Sequence, residues 1–128
     1  VRRLFLSICL LVIVGVLTAC QKKEDGMTFE SIYTDKEITK IVYGKNGNFK
    51  ELTDFESINK WVNDVRNMKF IRYDNQEERQ PLLLFDGGCL VKAYHKDEEI
   101  GDFKLRKLNG VYYKENTEFD KQVKSLCQ

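Results

Sequence analysis

Between residues 52 and 68 the apolar side chains come round every three or four positions: Phe55, Ile58, Trp61, Val62, Val65 and Met68. At 3.6 residues per turn they share one stripe, so LTDFESINKWVNDVRNM reads as an amphipathic helix laid against a core. Thr53 and Glu56 have the spacing of a capping box at its start. A tryptophan on such a stripe reads first as a core residue. The segments around the helix alternate instead. EITKIVYG (37–44), rich in β-branched and aromatic residues, reads as a strand; KNGN (45–48) is turn chemistry, and FKEL (49–52) pairs back. KFIRYD (69–74) reads as another strand and NQEERQP (75–81) as an exposed polar loop.

The remainder reads as a meander. PLLLFD and CLVKAYH flank Gly87-Gly88, HKDEEIGD is an acidic turn, and FKLRKL and VYYK flank Asn109-Gly110, the strongest short hairpin signal in the chain. Thr117 is placed to cap a last helix in which Phe119, Val123 and Leu126 share a face. Hairpin connections lack the crossovers that parallel pairing requires. The expected fold is therefore α+β: an antiparallel sheet of four to six strands, ending in a C-terminal meander, with two helices on one face.

The first nineteen residues belong to a different pattern. Arg2 and Arg3 precede an almost wholly apolar run from Leu4 to Leu17, and Lys22, Lys23, Glu24 and Asp25 stop it abruptly. The sixteen residues from Leu4 to Ala19 fall short of the roughly 18–20 that span a bilayer as a helix, so the stretch reads as a secretory signal. It ends in Leu17-Thr18-Ala19-Cys20, which resembles the lipobox of bacterial lipoproteins. That resemblance implies a diacylglyceryl group on the Cys20 sulfur, cleavage between Ala19 and Cys20 by signal peptidase II, and Cys20 as the new, acylated N-terminus. Two chains on one cysteine meet the requirement for firm anchoring, at about 0.8 kcal/mol per buried CH₂. An incidental cysteine behind an ordinary signal, and twin-arginine export through Arg2-Arg3, are the weaker readings. The expected division is a signal over 1–19, a lipidated cysteine and short tether over 20–27, and one globular domain over 28–128. The tether QKKEDGM reaches at most about 25 Å; Lys22 and Lys23 touch anionic headgroups or serve as a solubilising spacer.

Cleavage there would leave 109 of the 128 residues, one ordinary domain. Arg2 and Arg3 leave with the signal, so 21 basic residues become 19 against 20 acidic ones, a net charge of −1. This balance argues against a nucleic-acid partner, which calls for a basic excess on one face. Abundant Lys, Glu and Asn with one proline and one histidine point to a low-GC Gram-positive host. With Cys9 discarded and Cys20 acylated, Cys89 and Cys127 remain outside the cytoplasm, where disulfides persist. Two readings stand open for them: a bridge from the last helix to a strand, or two separate thiols. The final third, from LLLF through LRKLNGVYYKEN to the last helix (82–127), is similar to small Gram-positive lipoproteins of the YhfM-like kind, whose family supplies no chemistry.

Candidate chemistry is sparse. Cys89 and His95 fall on one face of a proposed strand but six residues apart, about 20 Å, whereas a nucleophile and its base need roughly 3 Å. His95 has no second histidine for a metal site, and Asp97, Glu98 and Glu99 read as a solvated turn. No phosphate loop, nucleophile elbow or dinucleotide fingerprint is present. No catalytic residue, metal or cofactor is expected, and binding is what remains. A two-helix cover leaves one sheet face free, and Tyr94, Lys104, Arg106 and Tyr112 are the candidate contact residues, tyrosine being enriched where proteins meet. Tyr112 and Tyr113 must point to opposite faces, so one of them belongs to the core. The expectation is a monomeric, lipid-anchored, non-catalytic binding or accessory lipoprotein on the extracytoplasmic side of the cell membrane, with a protein or envelope partner. The alternatives are a small envelope enzyme and a structural subunit of a membrane complex.

Overall fold

A computed structural model describes residues 26–77 and 88–128. The leader, Cys20, most of the tether, the end of the 75–81 loop and the strand read in PLLLFD lie outside the described residues. The elements run β1 (Met27–Thr28), α1 (Phe29–Ile32), β2 (Lys40–Lys45), β3 (Asn48–Leu52), α2 (Phe55–Val65), β4 (Lys69–Phe70), β5 (Leu90–His95), β6 (Glu98–Asp102), β7 (Lys107–Leu108), β8 (Val111–Tyr112) and α3 (Thr117–Leu126). Six strands form one antiparallel sheet in the order β3-β2-β5-β6-β7-β8, and β1 pairs with β4 separately. The fold is α+β, with three helices among the described residues.

The two asparagine-glycine turns form where the sequence puts them. Asn46 and Gly47 have φ of 53° and 79°, and Asn109 and Gly110 have 49° and 82°. Positive φ at both central residues matches the right-handed twist of the strands they join. HKDEEIGD is not one acidic turn, however. Only Lys96 and Asp97 turn, and Glu98–Asp102 is β6, paired along β5 from His95↔Glu98 to Lys92↔Asp102 with a bulge at Ala93/Tyr94. Its carboxylates are tolerated in a strand because Lys36 meets Glu98 at 2.8 Å and Lys92 meets Glu99 at 2.9 Å. FKLRKL likewise contributes only Lys107–Leu108 as strand.

Both long helices are capped one residue away from the expected position. Asp54, not Thr53, accepts the Ser57 N–H at 2.9 Å, and Asn116, not Thr117, accepts the Phe119 N–H at 3.0 Å. Asn116 also donates to the Lys69 carbonyl at 2.9 Å. The α2 stripe buries Ile58, Trp61 and Val65, but Phe55 at its start is 68% exposed. KFIRYD supplies two strand residues and then runs beside β8. Arg72 bridges Tyr113, the Tyr73 N–H donates to the Tyr112 carbonyl at 2.9 Å, and the Lys114 N–H donates to the Ile71 carbonyl at 2.8 Å.

The core centres on α1, a four-residue helix that the hydrophobic pattern does not announce. Phe29 is fully buried, its ring within 4.8–6.3 Å of Tyr33, Trp61, Phe70, Phe103 and Phe119. Trp61 stacks on Phe103 at 5.5 Å, and its indole N–H donates to the Gln122 carbonyl at 3.4 Å, joining α2 to α3. Tyr33 Oη donates to the Ile100 carbonyl at 3.0 Å and accepts the Asn109 N–H at 3.3 Å, locking the end of α1 to the sheet. Burial raises the Tyr33 hydroxyl well above its usual pKa. Cys89 and Cys127 are joined as a disulfide, Cα atoms 5.8 Å apart, so the end of α3 is tied to the start of β5. Gly26 and Met27, at the end of the segment read as a tether, already belong to the domain, with Met27 opposite Phe70.

Candidate functional site

Side chains alternate between the faces of a strand, and the burial pattern sorts them here. Ile41, Val91, Ala93 and Leu108 face the helices and are buried. Their neighbours Val42, Lys92 and Lys107 face the other way and keep partial exposure. The registers carry this outer set across the entire sheet. Glu51 on β3 is opposite Val42 on β2, which is opposite Lys92 on β5; Asp102 on β6, Lys107 on β7 and Tyr112 on β8 continue the row. A second row holds Lys40, Tyr94 and Glu99, and a third holds Phe49, Gly44 and Leu90.

Charge and aromatic surface are interleaved on this face. The Lys40 ammonium sits 4.7 Å from the Tyr94 ring centroid, and that of Lys107 sits 5.4 Å from Tyr112. Such contacts contribute about 0.5–1 kcal/mol each at exposed sites. Hydrogen bonding to Glu99 holds the Lys92 ammonium above its ordinary pKa, whereas burial pushes the Asp102 carboxyl up. Phe49 stays 51% exposed over Gly44, where a Cβ would fall 2.8 Å from its ring. The side-chain partnerships orient aromatic rings and alternating charges that keep partial exposure, with Asp102 the most desolvated of the charges.

Of the four contact residues expected from sequence, Tyr94 and Tyr112 lie on this face. Three strand spacings separate them, about 14 Å. Lys104 sits in the turn before β7 instead. Arg106, with φ of 56°, keeps partial exposure and carries its guanidinium to Asp120 on α3 at 3.2 Å and to Glu115 just before that helix at 3.8 Å. Lys107, the next residue, is the basic neighbour of Tyr112. Tyr113 takes the core position, 4% exposed. Lys40, Lys92 and Phe49 carry no signal of their own in the sequence, although the period of two along a strand puts Lys92 on the same face as Tyr94.

Other chemistry is held in structural contacts. Cys89 is in the disulfide, and His95 Nδ1 lies 2.8 Å from the Glu37 carbonyl. Among the described residues no three His, Cys, Asp or Glu side chains gather as a metal site, and no helix is long and apolar enough to cross a membrane. A groove of about 630 Å³ runs between α1 and α2 over Phe29, Ile58 and Val62, with Phe55 and the Glu30–Arg66 ion pair, 2.6 Å, at its sides. A second concavity of about 740 Å³ lies where the chain enters the domain, lined by Met27, Ile71, Val111 and Lys114. Comparison with known families, with curated proteins and with solved structures returned no match for this chain.

Proposed function

We propose that this chain is a lipid-anchored, extracytoplasmic accessory protein that works by non-covalent binding, with the sheet face opposite the helices as its contact surface. The observation that carries the binding reading is the row Glu51, Val42, Lys92, Asp102, Lys107, Tyr112, which crosses all six strands with alternating charges and an aromatic end. Interleaved lysine and carboxylate suit a partner with charges of both signs, and Tyr94, Tyr112 and Phe49 supply ring surface at low entropic cost. The anchor reading rests on Leu17-Thr18-Ala19-Cys20. A protein or envelope component at the outer surface of the membrane is the partner that fits both.

Photo-crosslinking in intact membranes tests the reading. A benzophenone side chain at position 94 and one at 112 should capture the same species, and Lys92→Glu with Lys107→Glu should reduce the yield several-fold. The same group at position 55, on the helical side, should not capture it. Equal capture from all three positions, or none from 94 and 112, would withdraw the sheet face as the contact surface.

A further inference from the structure

Five large hydrophobic side chains stand exposed among the described residues: Met27, Phe49, Phe55, Ile71 and Tyr73. Two of them, Met27 and Ile71, come together at one edge, because β1 pairs with β4 and the chain after β4 runs beside β8. Met27 is 49% exposed and Ile71 43%. Both line the concavity at the chain entry, together with Arg72, Lys114 and Asp74. Arg72 and Lys114 make no ion pair with a described residue, so this apolar edge has a basic border with one carboxylate in it.

The position of the edge decides what it meets. Gly26, the first described residue, lies against Ile71. Six residues separate it from Cys20, which limits its distance from an anchored sulfur to about 20 Å. Lys22 and Lys23 fall within that span. An anchored domain must therefore keep this edge near the headgroups, where an exposed methionine and isoleucine can insert shallowly while lysine and arginine are drawn to anionic lipid.

We infer that the edge formed by Met27, Ile71, Arg72 and Lys114 docks on the anionic headgroup surface of the bilayer that holds Cys20, an inference that rests on the anchor reading above. The sheet then extends away from the membrane from β8 to β3. Five strand spacings put Phe49 about 24 Å from the docked edge, leaving the row of charges and rings open to a partner.

The test uses the acylated protein reconstituted in phosphatidylglycerol–phosphatidylethanolamine vesicles containing a spin-labelled lipid quencher. With Cys20 acylated and Cys89 bridged to Cys127, a cysteine introduced as Ile71→Cys or Phe55→Cys takes a polarity-sensitive dye at one site. The dye at 71 should be quenched several-fold more than the dye at 55. Arg72→Gln with Lys114→Gln, whose fold is checked by Trp61 fluorescence, should bring the two toward equality. Equal quenching at both sites in the parent protein would overturn the docking. So would concentration-dependent shielding at 71 without lipid quenching, which would make the edge a contact between two copies. Mass spectrometry separates this inference from its premise. Acylated Cys20 with an unquenched dye at 71 removes the docking and keeps the anchor. A bare Cys20 with position 71 still quenched by added anionic vesicles does the reverse.

Discussion

Replacing Phe29 by Ala should cost the domain more than any other single truncation. The ring is fully buried and packs with five aromatic neighbours drawn from the residue that closes α1, α2, β4, the turn after β6, and α3. Truncating a buried Phe to Ala typically costs 3–5 kcal/mol, the upper end applying where the surroundings cannot collapse into the cavity. A ring held from five directions meets that condition, so about 4–5 kcal/mol is expected. A domain of this size has a total stability of roughly 5–15 kcal/mol, so the loss is a large share of it. Phe55→Ala is the control: it removes the same atoms from a side chain 68% exposed, and under about 1 kcal/mol should be lost. The assay is urea unfolding of the oxidised protein followed through Trp61, the single tryptophan, which is 5% exposed and should shift to the red on unfolding. Equal losses for the two variants, or a Phe29→Ala loss near 1 kcal/mol, would refute the placement of α1 at the centre of the core.

The remaining expectations are independent of that ring. Reducing the Cys89–Cys127 bridge, which closes a 38-residue separation, should cost about 4 kcal/mol in the chain-entropy model, read as the difference between urea curves with and without reductant; an unchanged midpoint would contradict it. Gly47→Ala places a Cβ in open space at φ 79°, so only backbone strain is added and about 1 kcal/mol should be lost; no loss would argue against the tight turn. Acid should act in two directions. Asp54 and Glu98 are held below their usual pKa by bonds to Ser57 and Lys36, so their stabilisation is present at neutral pH and lost as pH falls through those lowered values. Burial raises Asp102, so its contribution is fullest below the unfolded carboxylate range and is lost as pH rises through its folded value. Asp102→Asn should therefore be no less stable than the parent at pH 7 and should lose stability more steeply on acidification; a weaker variant at pH 7 would reverse that assignment.

Legibility in the sequence followed the range over which each feature is determined. The Asn46-Gly47 and Asn109-Gly110 hairpins are fixed by two residues each and could be read directly. The α2 stripe was readable because eleven residues repeat one period, yet the pattern could not show that Phe55, at the first turn, projects beyond the core. At four residues, α1 is too short to show a period, so Phe29 had no signal beyond being aromatic. Its role comes from partners far along the chain. That Arg106 pairs with Asp120 was not legible, because the partner lies fourteen residues further on, on α3, and the turn at 103–106 that brings them together carries no glycine to announce its positive φ. On the open face the tyrosines stood out by type. The cross-strand row that places Tyr112 beside Lys107 became visible only with the register.

The proposed anchor, and with it the place where the sheet face would meet a partner, depends on residue 20. Mass spectrometry of the native protein extracted from membranes should find an N-terminal peptide beginning at Cys20, heavier by a diacylglyceryl group or by that group and a further acyl chain. A peptide that still carries the leader, or a cut elsewhere with an unmodified Cys20, would contradict the account.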